Sequence, residues 1–242
     1  MIKARLFQVL LCLVAADTCA CPVALDVGHY REKPGATSAR GVDEFAFNLT
    51  LATKIKRALE QRGCEVIPVG FQGDMRDLAA RTARARRASF FLSIHHDSVQ
   101  ARFLQPWTYK QGEQLYSDRF AGFSLFVSRA NPELARSIRC ASAIGAALRE
   151  KDFSPSLYHA DPLVGENRPF VDKQNGVHFF DNLAVLKTAV QAAVLIEAGV
   201  IVNREEERKL TQDQTQQQIA DAVVFAIGSC LVSDSNALER VF

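Results

Sequence analysis

The sequence predicts an α/β domain built on a mainly parallel, twisted sheet with helices on both faces. Two observations lead there. Short apolar runs alternate with longer stretches whose apolar positions recur at helical spacing. Several of those runs also end directly in histidine, aspartate or glutamate, where parallel sheets present ligand groups. Strands are read at Val23 to Val27, Cys64 to Val69, Phe90 to Ile94, Phe123 to Val127 and Ala193 to Ile196. A first helix follows from Phe45, Leu49, Ala52, Ile55 and Leu59, with Gly63 ending the run. A second follows from Leu134, Ile138, Ala141, Gly145 and Leu148 after Pro132, and Thr211 to Ser229 reads as a closing amphipathic helix. Ala101 to Ala121 and Ser154 to Val177 break the alternation. They read as long surface loops, and loops of that length are candidates for the walls of a groove.

At 242 residues and 48% hydrophobic the chain can bury the core of one domain. A formal charge of +2, with no basic run, excludes the electrostatic footprint of a nucleic-acid binder. Lys3 and Arg5 precede an apolar run from Leu6 to Ala16 and then small residues, the pattern of a secretory signal peptide. Residues 1–20 are therefore expected to be removed, by a cut after Ala20 or alternatively after Ala16, leaving 21–242 as a single domain. The run is too short to span a bilayer, so no stable membrane insertion is expected, and the site of action is the periplasm or beyond. No repeat or wall-anchoring second domain is visible, and the expectation is a monomer. Cys21, Cys64, Cys140 and Cys230 stand far apart and form no CxxC pair, which argues against thiolate metal binding. They allow three disulfide connectivities or buried thiols, and spacing does not choose among these.

Three strand ends carry the chemistry: Leu25-Asp26-Val27-Gly28-His29, Ser93-Ile94-His95-His96-Asp97 and Leu195-Ile196-Glu197-Ala198-Gly199. A lone histidine after a strand means little, but two at matching strand ends with a carboxylate at a third point to one crevice. Glu197 sits among valine, isoleucine, leucine, alanine and glycine, where an unpartnered carboxylate is costly to bury. An exposed position at the strand tip is the simpler alternative. A catalytic zinc site needs three protein ligands and an open position. His29 and His95 supply two, and Glu44, at the start of the first helix, is placed to supply an acid. A first-turn acid favoured by the helix dipole would look the same. Asp26 and Asp97 are near enough in sequence to orient the imidazoles, or else they cap turns.

Residues 24–44, ALDVGHYREKPGATSARGVDE, resemble the opening motif of the Amidase_3 family of N-acetylmuramoyl-L-alanine amidases. SFFLSIHHDS resembles its Ser-Ile-His motif, VLIEAGVIVNREEERKL its closing glutamate stretch, and Met75-Arg76-Asp77 with Leu78 to Arg81 the elements before the second histidine. The chain departs from the pattern at Val27, Tyr30, Val200 and Val202, none of them a ligand position. The resemblance implies that 21–242 is an amidase catalytic domain, with one Zn2+ held by His29, Glu44 and His95 and with Glu197 as the catalytic carboxylate. It implies peptidoglycan as the substrate, with the bond between N-acetylmuramic acid and L-alanine cleaved. His96, where the family pattern has a small residue, then lies behind the ligands or on the surface, and His159 and His178 match no ligand and read as loop residues. Family members that are regulated carry an inhibitory helix released by an activator protein, and Ala101 to Ala121 lacks the periodicity of that helix. The alternatives are a zinc hydrolase acting on another peptidoglycan bond, or an inactive wall-binding relative.

Overall fold

The computed structural model describes residues 22–232, so the proposed signal segment and Cys21 lie outside the described residues. In chain order the elements are β1 (Val23–Val27), α1 (Glu44–Gln61), β2 (Val66–Val69), α2 (Leu78–Arg84), β3 (Phe90–Asp97), β4 (Gln105–Tyr109), β5 (Gly112–Tyr116), β6 (Ser124–Val127), α3 (Leu134–Arg149), β7 (Phe170–Asp172), β8 (Val177–Phe179), α4 (Ala184–Thr188), β9 (Ala192–Val200), α5 (Arg204–Leu210) and α6 (Asp213–Val232). Seven strands form one sheet in the order β2-β1-β3-β9-β6-β8-β7. The neighbours β2·β1, β1·β3, β3·β9 and β6·β8 run parallel, while β9·β6 and β8·β7 run antiparallel. The sheet is thus mixed, with a parallel heart.

Near-continuous apolar runs in β1, β3 and β9 follow from burial on both faces. Val23, Leu25, Phe90, Leu92, Ile94, Val194 and Ile196 point into the larger core with the apolar stripes of α1, α3 and α6. Ala24, Phe91, Ala193 and Leu195 point the other way, into a smaller core closed by Val185 and Leu186 of α4. Side-chain alternation along each strand therefore decides which residues reach the second face, and Asp26, Ser93, His95 and Glu197 are on it.

β3 and β9 run further than their apolar segments, because the ladder continues through His95↔Glu197 and Asp97↔Val200 after the apolar residues stop. β2 starts later than its sequence suggests. The Cys64 amide donates to the Leu59 carbonyl at 3.1 Å, so Cys64 still belongs to the end of α1.

The Ala101 to Ala121 segment is not the irregular loop expected. β4 and β5 pair antiparallel from Gln105↔Tyr116 to Tyr109↔Gly112, leaving a two-residue turn. Its first residue, Lys110, adopts φ 54°, where glycine is the usual signal, and so the hairpin is silent in the sequence. Trp107 and Tyr116 stack with Arg204, and the Trp107 indole donates to the Ala39 carbonyl at 2.8 Å. Ser154 to Val177 is irregular as expected, except for a single 3-10 turn at Tyr158–Ala160 and the edge strand β7.

Cys140 of α3 and Cys230 of α6 form a disulfide between the two helices that cover the larger core. Among the described residues no helix is long and apolar enough to cross a membrane. The disulfide closes a loop with a sequence separation of 90 residues, for which chain entropy gives about 4.6 kcal/mol. Cys140→Ser should lower the unfolding free energy by about 2–4 kcal/mol in chemical denaturation, and an unchanged midpoint would show that helix packing alone holds α6.

Candidate metal centre and active site

The chain leaves β1 at Val27, and two residues on His29 takes φ 67°, a left-handed conformation uncommon for a side-chain-bearing residue. The imidazole that follows this turn meets the Glu44 carboxylate and the His95 ring. Glu44 opens α1, its amide donating to the Ala36 carbonyl at 2.8 Å, and the residue is only 4% exposed. His95 comes from β3. The Glu44 carboxylate lies between the two rings, with Oε2 2.9 Å from His29 Nε2 and Oε1 3.1 Å from His95 Nδ1. One ligand atom from each of the three lies within 4.8 Å of the others, the only such metal-capable group among the described residues.

The backbone is shaped around this cluster. A Cβ at Gly28 would collide with the His95 ring, and one at Gly35, φ 87°, would collide with the Glu44 carboxylate and the His29 ring. Neither position has room for any other residue.

Burial alone would raise the Glu44 carboxyl, but hydrogen bonds and charge from His29 and His95 outweigh it and hold the group well below the usual carboxylate range. It also accepts from the Ala36 amide at 3.1 Å and from the Asn48 side-chain amide at 3.1 Å. Asn48 lies one turn beyond Glu44 on α1, donates to the Gly28 carbonyl at 3.2 Å, and takes the Nδ1 proton of His96 on its Oδ1 at 2.8 Å. Both Asn48 donors being used, its oxygen must face His96, which makes Nδ1 of His96 the donor. Burial lowers the His96 pKa to about 4, in keeping with a neutral ring. His96 is therefore a buried support behind Glu44. Asn48 was invisible as a site residue in the sequence, where the spacing from Glu44 was its only signal.

Glu197 stands beside His95 as its register partner on β9, and neighbouring side chains in register share a face. It is not at an exposed tip. The residue is partly buried, and its Oε2 is fully buried without a hydrogen-bond partner. Burial, followed by the charges of Asp97, Glu44 and Glu166, pushes its carboxyl well above the ordinary range. Glu197 thus combines a buried oxygen that has no hydrogen-bond partner with a raised proton affinity, in register with His95 of the metal-capable cluster.

The two aspartates do not orient the imidazoles. Asp26 accepts from Arg81 Nη1 at 2.6 Å and from Ser93 Oγ at 2.7 Å. Asp97 accepts from His159 Nε2 at 2.8 Å. His159 lies on the Ser154 to Val177 loop, as expected, but is a buried bridge, with Nδ1 3.0 Å from Glu166. Burial opposes its charge, yet the Asp97 and Glu166 carboxylates overcome that and raise its pKa to about 9. His178 is likewise buried, on β8 against Phe126, and burial lowers its pKa to about 4. Beside His29 and His95 opens an apolar cavity of about 280 Å³ walled by Tyr30, Lys33, Leu78, Leu183, Val185 and Leu195.

Fold and cluster together define an α/β domain with a candidate metal centre at the carboxyl ends of its parallel strands. The profile of the Amidase_3 family, N-acetylmuramoyl-L-alanine amidase, matches residues 23–229, so the chain belongs to that family, as its motifs implied. AmiC of Neisseria meningitidis is 27% identical over 222 residues, covering 85% of this chain and 51% of the relative. AmiC of Escherichia coli is 28% identical over 236 residues, covering 90% and 54%. The chain thus spans about half the length of these relatives. The fold is shared with the N-acetylmuramyl-L-alanine amidase of Mycobacterium smegmatis (TM-score 0.70, 19% identity, 89% of this chain and 99% of that one). It is also shared with an N-acetylmuramoyl-L-alanine amidase of Clostridium difficile (TM-score 0.67, 21% identity, 88% and 97%).

His159 gives a pH signature. A histidine whose pKa rises from 6.5 unfolded to about 9 folded contributes stability that is full below pH 6.5 and is lost as pH climbs through 9. The stability advantage of the native chain over His159→Gln should shrink between those values in urea denaturation, and a constant difference would show that the ring is not charged in the fold.

Proposed function

We propose that this chain is a zinc-dependent peptidoglycan hydrolase that cleaves the amide between N-acetylmuramic acid and the L-alanine of the stem peptide. The observation that carries the reading is the convergence of His29, Glu44 and His95 on one point, with Glu197 as their unpartnered neighbour. Two imidazoles and one carboxylate are a donor set suited to zinc, and the backbone at Gly28 and Gly35 approaches these side chains so closely that a Cβ at either position would collide with them. His29, Glu44 and His95 would hold one Zn2+. When bound, zinc supplies a Lewis acid that polarises the scissile carbonyl, lowers the pKa of water and offsets the charge developing on the carbonyl oxygen.

Glu197 takes the proton of the attacking water on its carboxylate and delivers it to the departing L-alanine nitrogen. Its buried, acid-rich surroundings suit the delivery half, because a carboxyl of raised proton affinity retains the proton until the amine leaves. Glu44 stays ionised throughout, its charge fixed by the imidazoles and by Asn48 and Ala36. The apolar cavity beside His29 and His95 receives part of the substrate, with Lys33 at its wall. Action outside the cytoplasm is supported by the charged and apolar start of the chain and by the Cys140–Cys230 disulfide, which persists in oxidising compartments.

Metal analysis of the purified protein paired with mass spectrometry of digested sacculi tests this directly. One zinc per chain and peptides with free L-alanine amino termini are expected, whereas new reducing ends or released acetate would move the activity to another bond. Glu197→Gln should keep its zinc and lose roughly 100- to 10,000-fold in kcat. Full activity in that variant would remove Glu197 from the reaction.

A further inference from the structure

Arg81 is the largest fully buried side chain of the described residues, and the steps of the reaction above make no use of it. Its guanidinium has an unusual set of partners. Nη1 donates to Asp26 Oδ1 and to the Val27 carbonyl, both at 2.6 Å. Nη2 donates to the carbonyl of His29 and, at 2.7 Å, to that of Met75, which Nε also reaches at 3.2 Å. One planar fork thus grips the end of β1, the backbone of His29 in its left-handed conformation, and the loop before α2.

The second half of the arrangement lies on β3. Asp26 Oδ2 accepts from Ser93 Oγ at 2.7 Å, and Asp26 and Ser93 are register partners. Ser93 precedes His95 by two residues on the same sheet face, and Asp26 precedes His29 by three. The Asp26 carboxylate, 1% exposed, therefore ties together the two strand ends that deliver the histidines, while Arg81 fixes the carbonyl of one of those histidines. A buried guanidinium demands this full set of acceptors, so the geometry is held rigidly.

We infer that Arg81, Asp26 and Ser93 form a knot that sets metal affinity by fixing where His29 and His95 meet Glu44. Arg81 is a positioning residue: its guanidinium donors are taken up by Asp26 and by the carbonyls of Val27, His29 and Met75. The inference rests on the reading of His29 and His95 as metal ligands. Lysine at 81 keeps the charge but has a single head that cannot span Asp26, His29 and Met75 at once.

The test measures zinc Kd by chelator competition on the full chain, alongside thermal unfolding of the metal-free protein. The variants are Arg81→Lys, Ser93→Ala, His29→Ala and a core control, Leu59→Ala, far along α1. Arg81→Lys should weaken zinc binding about 10- to 100-fold, and Ser93→Ala, which leaves the ion pair in place, should weaken it in the same direction. Leu59→Ala should lower the unfolding temperature and leave Kd unchanged. Should Arg81→Lys fail to fold, Ser93→Ala decides. Native affinity in both Arg81→Lys and Ser93→Ala, with His29→Ala impaired, would overturn the knot alone, as would equal weakening in Leu59→Ala. Native affinity in His29→Ala would overturn the ligand reading and the inference with it.

Discussion

A carboxylate as deeply buried as that of Glu44 stays ionised only if its surroundings replace the water it has lost. Here the replacement is nearly complete: imidazoles at 2.9 and 3.1 Å, an amide N–H from Ala36 and the side-chain amide of Asn48. These contacts also fix position. Glu44 opens α1, whose apolar stripe packs on the larger core, so the helix brings a charge to the carboxyl ends of β1 and β3 and cannot shift without disturbing that core. The left-handed turn at His29, the absence of a Cβ at Gly28 and Gly35, and the inward turn of His96 all accommodate the same carboxylate.

Around this anchor the structure separates two acids. Glu44, surrounded by donors, is held low, and Glu197, with a buried oxygen lacking any partner and acids nearby, is pushed high. Environments that drive two carboxyls apart suit them to different work, and under the proposed function Glu44 is the fixed charge and Glu197 the carrier of protons. The Asp97 and Glu166 carboxylates, bridged by His159, add to the push on the second acid. The sheet makes the separation possible: β3 and β9 are adjacent, which places Glu197 next to His95, and Glu44 arrives from a helix outside the sheet.

The parts of this site that could be read in the sequence are those that share an element with strong periodicity. His29, His95 and Glu197 follow buried apolar strands, and Glu44 begins a helix with a clear apolar face, so placing the elements also placed the residues. Contacts between distant segments were not readable. Asp26 and Asp97 looked like partners of the neighbouring histidines, yet tertiary packing gave them Arg81 and His159, separated from them by 55 and 62 residues. The β4–β5 hairpin carries no sequence signal because Lys110 occupies a turn position that glycine usually announces, and β7, β8, α2, α4 and α5 are too short for periodicity to show.

X-ray absorption at the zinc edge of the purified protein addresses the central claim most directly, because it reports the atoms around the metal independently of activity. The account predicts a first shell of nitrogen and oxygen at about 2.0–2.2 Å with the outer-shell scattering of two imidazoles. Sulfur in that shell, or the signature of fewer than two imidazoles, would contradict it.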